Sequence, residues 1–160
     1  MLALMLDTGI RLREMLSLSV DDVDWPEQFV SIRSTKNRQP RRVPIGHSAR
    51  QALWRYVQRR GKRALSDALF INRSGAPVNR NTVQKRVQDL GRKAGLGGCG
   101  CHRLRHTFAT IYLRNGGDVM TLSRILGHSG LEMTRRYITL TTGDLRESHR
   151  KASPLDRLAR

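Results

Sequence analysis

The chain has 160 residues, with 30 lysines and arginines against 13 aspartates and glutamates, so its formal charge is +17 at pH 7. A charge of this size predicts a polyanionic partner, first nucleic acid and second an anionic membrane surface; improved solubility alone is the other explanation. The longest apolar run, Met1–Leu6, is too short to span a bilayer. Two cysteines do not make a disulfide framework. We therefore expect one cytoplasmic domain over residues 1–160.

The first third of the chain predicts two short helices followed by a β-hairpin. Apolar residues recur at helical spacing in Met1–Leu6 and Arg11–Leu18, and Gly9 permits a sharp turn between them. Two extended runs, Gln28–Ser34 and Arg41–Ile45, flank a polar stretch that reads as a hairpin tip.

The remainder predicts helices with short connections. In chain order, the predicted elements are a helix over Ala49–Arg60 with Ser48 as its N-cap, a possible third strand at Leu69–Ile71, a helix from Asn79 or Asn81 to Ala94, a helix over His102–Asn115, a helix capped by Asp118 and ended by Gly127, and two further helices over Leu131–Leu140 and Asp144–Arg150. The predicted fold class is mainly α with one small antiparallel β-sheet (α+β).

The first chemical motif is His102-Arg103-Leu104-Arg105-His106. His102 and Arg105 are three residues apart, so the start of a helix places them on one face. An imidazole beside a fixed guanidinium suits a phosphate that gains charge in a transition state. The alternative is a basic helix start with a structural histidine.

Two further candidates follow in the chain. His128 comes directly after Gly127, which ends a helix and exposes the next side chain. Tyr137 lies beside Arg135 and Arg136, and nearby positive charge favours the phenolate, which can attack phosphorus. A polar turn and a half-buried amphipathic tyrosine are the ordinary alternatives.

The N-terminal part adds two more candidates. Arg11 follows the glycine turn in Thr8-Gly9-Ile10-Arg11, and Glu14 lies one helical turn later, where it can orient a basic group or form an ordinary ion pair. Lys36 lies at the predicted hairpin tip, from which a lysine can donate a proton to a leaving oxygen, or simply be solvated.

Each motif is weak alone, but their order and spacing together resemble the catalytic domain of the tyrosine site-specific recombinases, the phage-integrase-like and Xer-like enzymes. The pattern is Thr-Gly-x-Arg-x-x-Glu, a hairpin lysine, His-x-x-Arg, Gly-His and a tyrosine nine residues later. The resemblance covers nearly the whole chain. It implies a tyrosine-recombinase catalytic-domain-like fold and the breaking and rejoining of DNA through a 3′-phosphotyrosyl intermediate, with no ATP, metal or other cofactor.

The resemblance also implies a role for each matching residue. Tyr137 is the nucleophile, Arg11 and Arg105 hold the nonbridging phosphate oxygens, and Lys36 is the general acid for the 5′ oxygen. His102 assists proton transfer at the nucleophile, and His128 donates a hydrogen bond to the phosphate. Glu14 orients its neighbours rather than reacting.

Other basic residues are candidates for contacts with the DNA backbone. They are Arg38, Arg41 and Arg42 around the hairpin, with Arg73, Arg80, Lys85 and Arg86 in or near the helix after Asn79. Cys99, Cys101 and His102 are too tightly spaced for a common zinc site, so we expect no metal.

The resemblance carries further expectations about assembly. Members usually have an N-terminal helical domain that clamps DNA, and Met1 stands just before the first motif, so we expect that domain to be absent here. The expected partner is double-stranded DNA, with a homotetramer on synapsed DNA, a monomer when free, and residues 141–160 as a docking tail. No membrane or small-molecule partner is expected. A type IB topoisomerase and a non-catalytic DNA-binding remnant are the competing functions.

Overall fold

The computed structural model describes residues 1–33, 40–61 and 65–127. In these ranges two α-helices precede the sheet and four follow it: α1 (Leu2–Thr8), α2 (Leu12–Leu16), α3 (His47–Arg60), α4 (Arg80–Lys93), α5 (Cys101–Arg114) and α6 (Val119–Leu126). Strands β1 (Val23–Asp24), β2 (Phe29–Ile32) and β3 (Arg41–Pro44) form an antiparallel sheet in the order β1-β2-β3. The predicted fold class, mainly α with a small antiparallel sheet, is confirmed.

Local chemistry sets several of the helix ends as predicted. The Asn79 side chain accepts hydrogen bonds from the backbone amides of Asn81 and Thr82, and Asp118 accepts one from the amide of Thr121. Gly127 ends α6 in the left-handed region, at φ +61°. These caps satisfy amides and carbonyls that a helix end leaves without helical partners.

The predicted N-cap at Ser48 is wrong. Helix α3 begins at His47 and its N-cap is Gly46, whose N–H donates to Asp7 Oδ2 at 2.7 Å. A contact with a residue near the end of α1, rather than the local serine, fixes where this helix starts.

The predicted third strand at Leu69–Ile71 is also wrong, because β1 takes that place and pairs Val23 with Val30. Two isolated bridges lie here, one at Ile71 with Pro77 and one at the preceding Ala68 with Ser19. Its apolar side chains reflect burial instead: Leu69 is 0% exposed and its N–H donates to the carbonyl of Leu18.

The core positions the α1–α2 corner against α5 and α6. Helix α1 contacts α3 and α5, while α6 contacts β3 and α5. Gly9 lies in the left-handed region at φ +59°, and a Cβ there would come within 2.4 Å of Phe108 Cδ1 and 2.8 Å of Leu126 Cδ2. Glycine therefore lets the corner backbone approach both helices. Within the described ranges, no helix is both long and apolar enough to cross a membrane.

Candidate active site

The α1–α2 corner presents Arg11. The Thr8 hydroxyl donates to the Leu4 carbonyl at 2.6 Å and accepts from the Ile10 amide at 3.2 Å, which fixes the turn at Gly9. Arg11 then stands at the N-cap of α2, where its amide donates to Glu14 Oε2 at 3.0 Å. The predicted glycine turn is confirmed, and it brings Arg11 to the edge of the core.

Arg105 approaches the same corner from α5. Its side chain lies within the core, at 4% exposure for the residue. Its Nη1 donates to the Gly9 carbonyl at 2.7 Å and its Nη2 donates to the Leu126 carbonyl at 2.8 Å. Arg11 Nη1 donates to that same Leu126 oxygen at 2.9 Å. The two arginines that the sequence motifs predict as partners therefore meet at one carbonyl oxygen.

That oxygen lies at the C-terminal end of α6. The last carbonyls of a helix have no partner within it and carry the negative end of its dipole. At α6, guanidinium groups supply donors to the carbonyls of Ile125 and Leu126. Gly127 follows, and His128 is the next residue in the chain. The arginine pair is therefore built on the residue that precedes the Gly-His motif.

Arg41 joins the cluster from β3. Its Nε donates to the Ile125 carbonyl at 2.9 Å, and its Nη1 and Nη2 donate to Glu14 Oε1 and Oε2 at 3.0 and 2.9 Å. Its side chain is 12% exposed. The sequence places Arg41 among the residues that contact DNA phosphates, whereas here its guanidinium is engaged inside the protein. A strand alternates its faces, and Arg41 shares the inner face with buried Val43, which is the signal that could have found this role.

Glu14 is the acidic centre of the cluster, with a side chain that is 3% exposed. Burial by itself raises the pKa of this carboxyl, but hydrogen bonds from Arg41 and the Arg11 amide, together with the charges of both arginines, bring its pKa below the ordinary value. Glu14 is therefore ionised. Its two carboxylate oxygens accept from the guanidinium groups of Arg11 and Arg41.

His102 lies in the first turn of α5, one turn before Arg105, and is exposed. Its ring meets that of His106 edge-on, with centroids 4.7 Å apart. The structure therefore gathers Arg11, Glu14 and Arg105, and presents His102 from the helix that carries Arg105. Lys36, Arg38, His128, Tyr137, the two predicted C-terminal helices and residues 141–160 lie outside the described residues.

The remaining candidates for DNA contacts lie at the surface. Arg42 donates to Asp24 at 2.7 Å, and its guanidinium stands 4.6 Å above the Phe29 ring centroid. The other four are also exposed, and three of them belong to α4: Arg73, Arg80, Lys85 and Arg86.

The cysteines have a packing role. A Cβ on Gly91 of α4 would come within 2.2 Å of Cys99 Cβ, so glycine there makes room for the loop before α5. Burial raises the pKa of the Cys101 thiol. Among the described residues, no group of three or more His, Cys, Asp or Glu side chains is placed to hold a metal ion.

Comparison with known sequences identifies one family and several relatives. The phage integrase family matches residues 1–143. A tyrosine recombinase XerA from Saccharolobus solfataricus is 37% identical over 149 residues, which cover 93% of this chain and 48% of that protein. A tyrosine recombinase XerD from Corynebacterium glutamicum is 37% identical over 158 residues, covering 94% and 51%. The chain thus spans about half the length of these relatives.

Solved structures have the same fold. The crystal structure of XerA recombinase superposes with a TM-score of 0.81 at 34% identity, covering 95% of this chain and 56% of that one. XerH site-specific recombinase bound to difH substrate gives 0.73 at 26% identity, covering 86% and 41%. With a family match over most of its length and the predicted arginine pair assembled on one carbonyl, the chain belongs to the phage integrase family.

Proposed function

We propose that residues 1–160 form the catalytic domain of a tyrosine recombinase, which cuts and rejoins DNA through a covalent bond to Tyr137. The observation that carries this proposal is the meeting of Arg11 and Arg105 at the Leu126 carbonyl, two residues before His128. The family match and the tyrosine recombinase relatives support the reaction class.

The cluster suits a phosphodiester in particular. Guanidinium groups are planar, always charged and matched to pairs of phosphate oxygens. Arg11 and Arg105 are held by backbone and carboxylate acceptors before any substrate binds, so little reorganisation is needed when charge develops on phosphorus.

The reaction proceeds by exchange of one phosphoester for another. The Tyr137 oxygen attacks phosphorus and loses its proton with assistance from His102, while the bond from phosphorus to the 5′ oxygen breaks. Lys36 gives a proton to that oxygen, and His128 donates a hydrogen bond to the phosphate. The 3′-phosphotyrosyl bond conserves the ester, so attack by a 5′-hydroxyl reverses the step and rejoins a strand.

Double-stranded DNA is the proposed partner. The charge of +17 and the exposed basic residues of α4 support it, as does the difH substrate to which the related XerH site-specific recombinase is bound. Exposed basic side chains position a duplex through its phosphates without reading bases. The domain acts in the cytoplasm as a homotetramer on two DNA sites and is a monomer when free, with residues 141–160 as the segment that docks on a neighbouring subunit.

Covalent trapping tests this function. The protein is incubated with labelled duplex from a cognate site that carries a nick, so that the short 5′-hydroxyl fragment diffuses away, and the mixture is then denatured. We expect a labelled protein–DNA adduct with the wild type and none with Tyr137→Phe. An adduct that persists in Tyr137→Phe excludes this nucleophile. Salt-sensitive binding without any adduct indicates a binding module, and relaxation of supercoiled DNA without recombinants indicates a topoisomerase.

A further inference from the structure

Two arginines flank residues 34–39, the stretch of the predicted hairpin tip that contains Lys36, and each pairs with a buried carboxylate. Arg33 follows β2 and donates to Asp22 at 2.7 Å, and its own side chain is 73% exposed. Arg41 begins β3 and binds both oxygens of Glu14, and its side chain is 12% exposed. The two pairs are chemically alike, but only the second joins the cluster that contains Arg11.

We propose that Arg41 is a positioning residue for the strand-cleavage reaction: it holds β3, α2 and the C-terminal end of α6 in one arrangement and thereby aligns the arginine pair, Arg11 and Arg105. This inference rests on the proposed function and deepens it. The residue is assigned no contact with DNA.

The contacts that carry the proposal join three elements through one planar group. The Arg41 guanidinium donates to Glu14 of α2 through both terminal nitrogens and to Ile125 of α6 through Nε. Since the guanidinium is rigid, these three hydrogen bonds fix its orientation as well as its distance from both helices. A lysine ammonium at the end of a flexible chain cannot reproduce this fork geometry.

The Arg41 guanidinium is also packed closely against Gly127. A Cβ on Gly127 would lie 2.8 Å from Arg41 Cζ and 2.8 Å from its Nη1. The guanidinium therefore lies directly against the backbone at the point where the chain leaves α6 for His128.

Loss of the Arg41 side chain would affect catalysis through two of its neighbours, Glu14 and the end of α6 at Leu126. Glu14 binds Arg11 as well as Arg41, so removing Arg41 leaves a buried carboxylate with fewer donors and draws it towards Arg11. The same change frees the Ile125 carbonyl, one residue before the oxygen that holds Arg11 and Arg105. Both effects displace the arginine pair, and a displacement of about 1 Å in an active site can cost about 100-fold in rate.

The test compares Arg41→Gln and Arg41→Lys with the matched control Arg33→Gln, which removes the same charge from the other flank of residues 34–39. Two quantities are measured in the full chain: the dissociation constant for cognate duplex, and the single-turnover rate of adduct formation with protein in saturating excess. We expect Arg41→Gln to lower the rate by about 100-fold, with a dissociation constant within about twofold of that of Arg33→Gln. Arg33→Gln should cleave at the wild-type rate.

Two results for the arginine variants would overturn the proposal. If Arg41→Lys restores the wild-type rate, charge rather than fork geometry is what matters. If Arg41→Gln weakens DNA binding strongly but reacts normally at saturation, Arg41 contacts the DNA backbone, as the sequence alone suggests. A Glu14→Gln background gives a further check, because Arg41→Gln should cost much less there than in the wild type.

Hydrogen–deuterium exchange of the segment 119–127 tests the same inference without cleavage. We expect faster exchange of this segment in Arg41→Gln than in Arg33→Gln or wild type. Equal exchange would show that Arg41 does not hold α6 in place. If wild-type protein forms no adduct, the proposed function fails, and the exchange result still decides whether Arg41 holds α6 in place.

Discussion

Arg105 combines burial with a fixed positive charge, and two backbone oxygens on different elements hold it there. The carbonyls of Gly9 and Leu126 accept from its two terminal nitrogens. A fixed fork is what lets one side chain join the α1–α2 corner to the end of α6. The residue therefore serves the fold and the proposed chemistry through the same contacts.

Replacing Arg105 by lysine should separate charge from geometry. Lysine keeps the charge but cannot reach both carbonyls in the same orientation, so we expect a loss of about 1–3 kcal/mol in the free energy of unfolding and of adduct formation as well. Urea unfolding and covalent trapping measure the two effects. Arg103→Lys is the control, because Arg103 is exposed on the same helix. Equal stability of the two variants would contradict the structural role.

Glu14 makes the stability of the protein depend on pH at the acidic end. Burial alone raises the pKa of its carboxyl, but the hydrogen bonds and charges of Arg41 and Arg11 lower it below the ordinary value on balance. A carboxylate with a depressed pKa contributes stability above its unfolded pKa, and that contribution is lost as pH falls through the folded pKa.

We therefore expect the wild type to lose stability as pH falls below the ordinary carboxyl range, and Glu14→Gln to lose less over the same interval. Thermal unfolding from pH 6 to pH 3 measures this. Glu27→Gln, which removes an exposed carboxylate, serves as the control and should follow the wild-type curve. Parallel curves for wild type and Glu14→Gln would argue against an ion-paired Glu14.

At the scale of elements, the end of α6 depends on a glycine for two separate reasons. Gly127 has φ +61°, a conformation that costs an L-residue about 1–2 kcal/mol. In addition, a Cβ at this position would clash with the Arg41 guanidinium. Gly116 has φ +82° but faces open space. A side chain there would therefore meet the unfavourable backbone conformation but no clash.

Gly127→Ala should consequently destabilise the protein more than Gly116→Ala, although both place alanine in the left-handed region. Chemical denaturation gives the two free energies of unfolding. In an Arg41→Gln background the difference between the alanine variants should shrink, because the clash is removed. A difference that stays constant would mean that the Arg41 contact does not limit residue 127.

The N-terminus of α4 depends on one side chain. Asn79 Oδ1 accepts from the amides of Asn81 and Thr82, which are otherwise without partners within the helix. We expect Asn79→Ala to cost about 1 kcal/mol of stability. Asn81→Ala is the matched control and should not lose stability, since alanine favours a helix interior. Urea titration of both variants decides the point.

At the scale of the whole molecule, positive charge is spread over the surface, and part of it is placed on one helix. Lys85 and Arg86 are exposed on α4, whereas Arg55 is exposed on α3. If α4 contacts DNA phosphates, Lys85→Gln should lower the slope of log affinity against log salt by about 1. Arg55→Gln removes the same charge from a different helix and should leave the slope nearly unchanged. Filter binding across a salt series measures the slopes, and equal slopes for both variants would remove α4 as the contact surface.

Local sequence patterns predict the helices and turns of this fold better than the contacts between elements that are distant in sequence. The cap at Asp118 and the turn at Gly9 depend on neighbouring residues and are found as predicted, and Asn79 is the cap of the two that the sequence offers for α4, Asn79 and Asn81. The start of α3 differs from the prediction, because the Gly46 amide donates to Asp7 of another helix. The apolar run at Leu69 correctly indicates burial, but whether a buried segment pairs as a strand depends on which backbone lies beside it.

The sequence by itself determined the family and the identity of the motif residues, because spacing along the chain and side-chain chemistry are local properties. It indicated that Arg11, Glu14 and Arg105 belong together. Only the tertiary structure decided how they meet: the carbonyl of Leu126 collects two arginines, and Arg41 turns inward to Glu14 rather than outward to solvent. Backbone oxygens carry no signature in a sequence, and strand alternation indicates which face Arg41 shares but not which buried carboxylate it meets there.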